Sequence, residues 1–111
     1  MDAPHFSIKV HDLPDAEACV RGMQREARAL AGRYPTLTAF HFGLARHGAQ
    51  YEAHIDLHFP QHQVIVNATA PTTERAVRDV LAKAAAELTR VASRDPSVGS
   101  PREAAVPAAA A

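Results

Sequence analysis

Apolar and polar residues alternate along four segments of the chain, which is the pattern of half-buried strands. The four predicted strands cover residues 6–10, 38–44, 51–59 and 63–69. The polar positions of the third strand are Glu52, His54, Asp56 and His58. Because every second side chain points to the same face, these four residues predict a sheet with one exposed face and one covered face.

Two further segments carry apolar residues at helical spacing. In the first, the apolar side consists of Ala16, Val20, Met23, Ala27, Leu30 and Tyr34. Asp15 is placed to cap this helix, and Pro35 ends it. In the second, the apolar side consists of Val77, Val80, Leu81, Ala84, Leu88 and Val91. The second helix begins after Thr72 or Thr73, either of which can serve as its N-cap, and runs to about Ser93.

The predicted element order is β-α-β-β-β-α, which indicates an α+β fold. A sheet with one exposed face needs one cover, and the two amphipathic helices on one face complete a two-layer sandwich. A right-handed crossover through the first helix sets the first strand parallel to the second, so the four-stranded sheet is mixed. Residues 46–49 and 60–62 are predicted turns. The domain is predicted to span 4–94, followed by a flexible Ala- and Pro-rich tail over 95–111.

Composition excludes several classes of protein. The 111 residues suffice for one small domain, and 12 Lys and Arg balance 12 Asp and Glu. A formal net charge of zero excludes a histone-like polycation and an acidic disordered chaperone. No apolar run approaches the roughly 20 residues that span a bilayer, and the first residues lack a secretory signal. We therefore expect a cytoplasmic protein that does not bind membranes.

Catalysis is not indicated by the sequence. We find no nucleophile–base pair, Gly-rich phosphate loop or pair of catalytic carboxylates, so we expect no enzyme, no cofactor and no small-molecule substrate. Cys19 is the one cysteine, which excludes a disulfide within the chain and a cysteine-based zinc site. A helix N-terminus lowers a thiol pKa, but no His or second Cys lies near Cys19 in sequence. We interpret Cys19 as a structural thiol.

The second predicted helix combines its apolar stripe with a recognisable set of side chains. The matching positions are Ala76, Val77, Lys83 and Leu88, with Arg90 and Arg94 at basic positions. With the element order and spacing, this pattern resembles the ribosome hibernation-promoting factor / protein Y family, whose last helix reads approximately A-I-D-x-x-x-D-K-L-x-x-Q-L-x-K. The likeness covers roughly residues 6–94 and is to a short form of the family. The chain departs from it at Arg78, where Asp is usual, and at Ala86, where a basic residue is common.

The resemblance implies binding to the small ribosomal subunit, with translation inhibited while idle ribosomes are preserved under stress. Such binding needs positive charge set against rRNA phosphates. Residues 1–94 hold 11 basic against 10 acidic residues, so local clusters must supply that charge. A row at i, i+4 and i+7 on the first helix and the family match on the second give the candidate RNA-binding residues: Arg21, Arg25, Arg28, Lys83, Arg90 and Arg94.

The same arginines also have a structural explanation. The first-helix row fits a solvated helix face with i,i+4 ion pairs such as Glu17–Arg21. Arg75 and Arg78 lie near the start of the second helix, where positive charge opposes the helix dipole. That placement indicates a role outside folding, unless acidic neighbours such as Asp79 neutralise the two arginines.

The histidines leave two alternative functions open. All seven lie between His5 and His62. His41, His54, Asp56 and His58 have the residue types of a zinc or other divalent metal site. The same face could instead remain a polar surface, or become cationic as the pH falls toward about 6 and strengthen RNA binding.

A chain that kept the fold and lost RNA binding would use the exposed sheet face around Ile65 to bind a protein partner or associate weakly with itself.

Overall fold

The computed structural model describes residues 4–11, 13, 16–95 and 98. It consists of β1 (His5–Val10), α1 (Ala16–Arg33), β2 (Ala39–His47), β3 (Gln50–Phe59), β4 (His62–Ala70) and α2 (Thr73–Ala92). The predicted order β-α-β-β-β-α is therefore confirmed. The predicted N-cap Asp15 and most of the predicted tail lie outside the described residues.

The four strands form one mixed sheet in the order β1-β2-β3-β4. β1 is parallel to β2, whereas β2, β3 and β4 are antiparallel neighbours, as the crossover argument predicted. Phe6 pairs with Phe40, Phe40 with Leu57, and Leu57 with Val64. This register lines up apolar side chains from all four strands on one face of the sheet.

Both helices cover that apolar face, which confirms the two-layer α+β sandwich. α1 packs on β1, and α2 packs on β3 and β4. The buried positions of the helices are Met23 and Ala27 in α1 and Ala76, Val80, Ala84, Leu88 and Val91 in α2. Three of these seven are alanines, whose small side chains let a helix backbone approach the sheet closely. The apolar spacing in the sequence therefore identified the correct helix faces.

The hairpin between β2 and β3 is tighter than predicted. Residues 46–49 were expected to form the turn, but Arg46 and His47 continue β2 and pair with β3. The loop consists of Gly48 and Ala49 alone. Gly48 has a φ of 66°, a left-handed conformation that glycine adopts without a steric penalty and that two-residue hairpin loops require. The prediction of a four-residue turn was wrong because this conformation lets strand pairing continue to the loop.

The N-cap of α2 is Thr72 and not Thr73. Thr72 has an extended backbone, and its side-chain oxygen accepts a hydrogen bond from the backbone N–H of Arg75 at 3.2 Å. This bond satisfies one of the amides that the first turn of a helix leaves without a partner. The structure thus decides between two threonines that the sequence could not distinguish.

Ordered contacts continue past the predicted domain boundary at residue 94. Val98 is fully buried and belongs to the hydrophobic core. Its carbonyl accepts a hydrogen bond from the hydroxyl of Thr36 at 2.6 Å, and its N–H donates to the carbonyl of Asp95 at 3.1 Å. The chain after α2 therefore folds back onto the loop that connects α1 to β2.

Candidate functional site

The strongest cluster of unengaged positive charge lies on α1. Arg21, Arg25 and Arg28 are exposed on the side of the helix opposite the buried Met23 and Ala27. Within the described part of the chain, none of the three guanidinium groups has a hydrogen-bond or ion-pair partner. The i,i+4 ion pair between Glu17 and Arg21 that the sequence allowed does not form. These arginines are therefore available to an external anion.

A groove of about 800 Å³ separates α1 from α2 along their N-terminal parts. The buried Met23 and Leu44 and the partly buried Val77 and Leu81 give it an apolar lining. At its edges lie Arg25 from α1 and Arg78 from α2, together with Glu26 and Glu74. Arg78 of α2 therefore lies at the edge of the same groove as Arg25 of the α1 row.

Arg78 is a candidate residue that the sequence-based set omitted. Its position against the helix dipole was the available signal, and Arg75 carried the same signal. The structure separates the two, because Arg75 lies 3.9 Å from the carboxylate of Asp79. Among the described residues, the side chain of Arg78 has no such partner. We therefore add Arg78 to the candidate site and leave out Arg75.

Two of the three α2 residues in the predicted set already have partners. Lys83 donates from its ammonium group to the backbone carbonyl of Asn67 in β4 at 2.8 Å. Because β4 is an edge strand, Lys83 lies on the flank of α2 away from the groove, where its charge also protects a free strand edge. Arg90 binds both carboxylate oxygens of Glu87, one of them from Nε at 3.2 Å. Arg94 is exposed just beyond the end of α2.

The contact between Arg90 and Glu87 changes the titration of both groups. The hydrogen bond from Arg90 lowers the pKa of the Glu87 carboxyl below its usual value, and the same bond raises the pKa of Arg90. Attraction to His62 and Arg94 lowers the pKa of Glu87 further. A phosphate that recruits Arg90 must compete with this carboxylate.

Cys19 lies in the wall of the groove and is partly buried. Burial raises the pKa of its thiol, because the apolar surroundings disfavour the thiolate. The effect of the helix N-terminus, which acts in the opposite direction, does not prevail. This agrees with the interpretation of Cys19 as a structural thiol.

The four candidate metal ligands are not assembled into one site. Both carboxylate oxygens of Asp56 are engaged, one by Nε2 of His58 at 3.1 Å and the other by the amide of Gln63 at 2.9 Å. The ring of His41 lies 5.4 Å from the ring of His58. His54 instead lies over Gly43, farther along the sheet. Over the described ranges, no group of three or more His, Cys, Asp or Glu residues is arranged to hold a metal ion.

A bilayer-spanning helix is also lacking in the described part of the chain, since neither α1 nor α2 is apolar enough over a sufficient length.

Comparison with known proteins finds similarity in structure only. No protein-family model matches the sequence, and no curated protein matches it. A ribosomal subunit interface protein from Coxiella burnetii superimposes with a TM-score of 0.66 at 11% identity, over 81% of this chain and 99% of that one. The N-terminal domain of protein Y from Thermus thermophilus gives a TM-score of 0.59 at 15% identity, over 73% of this chain and 90% of that one. The chain therefore has the fold of ribosomal subunit interface proteins and of the protein Y N-terminal domain, as the resemblance in its sequence predicted.

Proposed function

We propose that this chain associates with the ribosome and binds rRNA of the small subunit through the outer face of α1 and the adjoining edge of the groove. The observation that carries the proposal is the row of Arg21, Arg25 and Arg28, which is exposed and unengaged. Arg25 of this row lines the same groove as Arg78. The row occurs on a fold shared with a ribosomal subunit interface protein. By this proposal the bound chain occupies the small subunit, and in this way it inhibits translation and protects idle ribosomes.

The chemistry of the row suits a phosphate backbone. Arg28 follows Arg21 by seven positions of the helix, a span of about 10 Å along one face. A guanidinium group presents a planar fork of donors that matches phosphate oxygens, and each neutralised phosphate releases condensed counterions. A protein with zero net charge can therefore bind RNA when a local group of arginines is free of acidic partners.

The second-helix residues make a smaller contribution in this proposal. Lys83 must release the carbonyl of Asn67 before it can bind a phosphate, and Arg90 must leave Glu87. Arg94 is exposed and, among the described residues, its side chain has no hydrogen-bond or ion-pair partner. We therefore place Arg21, Arg25, Arg28 and Arg78 at the centre of the RNA-binding face, with Lys83, Arg90 and Arg94 at its periphery.

Cosedimentation with separated ribosomal subunits tests the proposal. The wild-type chain is expected to pellet with small subunits at about 50 mM salt and to dissociate at about 200 mM, since several phosphate contacts give a steep salt dependence. The double variant Arg25→Gln/Arg28→Gln is expected to bind more weakly, with a slope of log K against log salt that is smaller by about 1.5.

The matched control is Arg46→Gln/Arg75→Gln, which removes two exposed arginines outside the proposed face. Arg46 bonds the carbonyl of Gly48, and Arg75 lies beside Asp79. This control is expected to bind small subunits as the wild type does. Equal loss of binding in the two double variants, or preferential pelleting with large subunits, would contradict the proposed site.

A further inference from the structure

Histidines are concentrated on the face of the sheet that the helices leave uncovered. We call this the open face; strand alternation places on it Ser7 and Lys9 of β1, Gly43 of β2, Glu52 and Asp56 of β3, and the histidines of these strands. Of the seven histidines, all of which the structure describes, six lie on or beside it: His5, His11, His41, His47, His54 and His58. The exception is His62, whose Nδ1 lies 3.2 Å from Oδ2 of Asp95.

A hollow of about 450 Å³ lies on this face over β2, between β1 and β3. The ring of His54 lies over Gly43, in the space that a side chain at residue 43 would occupy, and forms one wall of the hollow. The polar residues that line the hollow are Ser7, Lys9, His11, His41, Glu52 and His54. Residues of β1, β2 and β3, together with His11 after β1, therefore line the hollow with polar groups.

The donors in the hollow are not used by other residues in the part of the chain that the structure describes. Among the described residues, the side chains of Ser7, Lys9, His11 and His54 have no hydrogen-bond or ion-pair partner. The His41 ring contacts those of His5, at 5.7 Å, and His58. A ligand in the hollow can thus meet one ammonium group, one hydroxyl and several imidazoles without displacing an existing bond.

The charge of the hollow depends on the protonation of its histidines. The charges of Lys9 and Glu52 cancel, so the hollow has no net charge when the imidazoles of its three histidines are neutral. Each proton that these imidazoles bind adds one positive charge. The neighbouring groups are His5 and His58, which flank His41, and Asp56, which pairs with His41 across the strands. β4 contributes no charged side chain to this face, where its residues are Gln63, Ile65, Asn67 and Thr69.

We propose that this hollow is a second anion site, which binds a phosphate group of single-stranded RNA and binds it more tightly as the pH falls. Phosphate oxygens accept charge-assisted hydrogen bonds from ammonium and imidazolium groups. An anion beside an imidazole favours the protonated form, so binding takes up protons and the affinity rises at lower pH. The site lies on the face opposite the helices, and it does not depend on the proposed contacts of α1.

The experiment uses the full chain carrying Arg25→Gln/Arg28→Gln, so that the helix-face contribution is reduced. The probe is a fluorescent single-stranded RNA oligonucleotide without terminal phosphates, measured by anisotropy at constant ionic strength. Its phosphodiesters do not titrate between pH 8 and pH 6, so any change in affinity comes from the protein. One proton taken up changes affinity up to tenfold per pH unit, and we expect at least about a tenfold gain from pH 8 to pH 6.

Replacing titrating rings by a neutral amide distinguishes this site from the rest of the surface. His11→Gln/His54→Gln in the same background is expected to lose most of the pH-dependent gain, and Lys9→Gln to weaken binding at both pH values. The matched control, His47→Gln/His62→Gln, removes two histidines outside the hollow and is expected to retain the gain. Circular dichroism of each variant verifies that it is folded.

Three outcomes would overturn the inference. The first is an RNA affinity that is the same at pH 8 and pH 6. The second is a pH-dependent gain in affinity that survives His11→Gln/His54→Gln. The third is a loss of this gain in the control His47→Gln/His62→Gln as large as that in His11→Gln/His54→Gln. A parallel titration with inorganic phosphate at pH 6 distinguishes the source of the anion. If inorganic phosphate binds in the hollow and RNA does not, the site takes a free phosphate and the RNA assignment is wrong. All these measurements use free RNA, so failure of ribosome binding does not affect them.

Discussion

The imidazole ring of His54 lies across Gly43, its direct partner on the neighbouring strand. A Cβ atom on residue 43 would lie only 2.8 Å from Nδ1 of the His54 ring, closer than such contacts normally are. A glycine inside a strand is unfavourable because it gains backbone freedom in the unfolded chain, and a ring packed across it offsets part of that cost. The position of His54, and with it one wall of the open-face hollow, depends on the missing side chain of Gly43.

A double-mutant cycle tests this dependence. In the background of His54→Ala, Gly43→Ala is expected to stabilise the fold by about 0.5–1 kcal/mol, because the strand gains a better residue without a clash. In the wild-type background the same change must displace the exposed ring, so the gain is expected to be smaller or reversed. Urea unfolding of the four proteins gives the coupling free energy. Additive effects would show that the ring does not rest on Gly43.

The burial of Val98 makes the segment after α2 part of the stability of the domain. Val98→Ala is expected to lower the free energy of unfolding by about 2 kcal/mol, because it removes buried methyl groups and leaves a cavity. The control is Ile65→Ala, since Ile65 is 58% exposed on the open face. It is expected to change stability by less than about 0.5 kcal/mol. Equal effects of the two substitutions in urea unfolding would place Val98 outside the core.

The cap of α2 makes a prediction that separates two adjacent threonines. Thr72→Ala is expected to destabilise the fold by about 1 kcal/mol, because the N–H of Arg75 loses its acceptor. Thr73→Ala, within the first turn, is expected to change stability by less than about 0.5 kcal/mol. Thermal unfolding of the two variants checks the assignment, and a larger effect at Thr73 would reverse it.

The contact between Arg90 and Glu87 predicts that the pKa of Glu87 depends on Arg90. The pKa of Glu87 is lowered chiefly by its hydrogen bond from Arg90, so Arg90→Gln is expected to raise it toward its usual value. Because this pKa is lower in the folded chain, the pair stabilises the fold above the usual glutamate pKa. That contribution is lost as the pH falls through the lowered value.

NMR titration of the Glu87 side chain measures this effect, with Arg75→Gln as a control that removes an arginine from the same helix. A Glu87 pKa that is unchanged by Arg90→Gln would show that the contact does not persist in solution. Arg90 would then be as free to bind phosphate as the α1 row.

Short-range patterns in the sequence were sufficient for the fold class. Two-residue alternation identified the four strands, and the helical spacing from Ala16 to Tyr34 identified the buried side of α1. The errors lie where a local conformation or a distant contact decides. The turn before β3 was predicted too long because Gly48 closes it in a left-handed conformation. The contacts of Val98 depend on Thr36, which is 62 residues away in sequence.

The candidate site was predictable only in part, because a charge is useful to a ligand only when it is free. The sequence identified the α1 row, and the structure leaves all three arginines without partners. It could not show that Lys83 bonds the backbone of Asn67, since that contact forms only when α2 packs beside an edge strand. The relation of Arg25 to Arg78 across the groove likewise requires the packing of two helices that are far apart in sequence.

The sequence by itself thus determined the elements, their order and the side of each that faces the core. These follow from the periods of helix and strand, which act over a few residues. Only the tertiary structure decided which charges remain unpaired and which histidines meet around Gly43. Those outcomes depend on distances between residues on different elements, which the register of the sheet and the docking of the helices set.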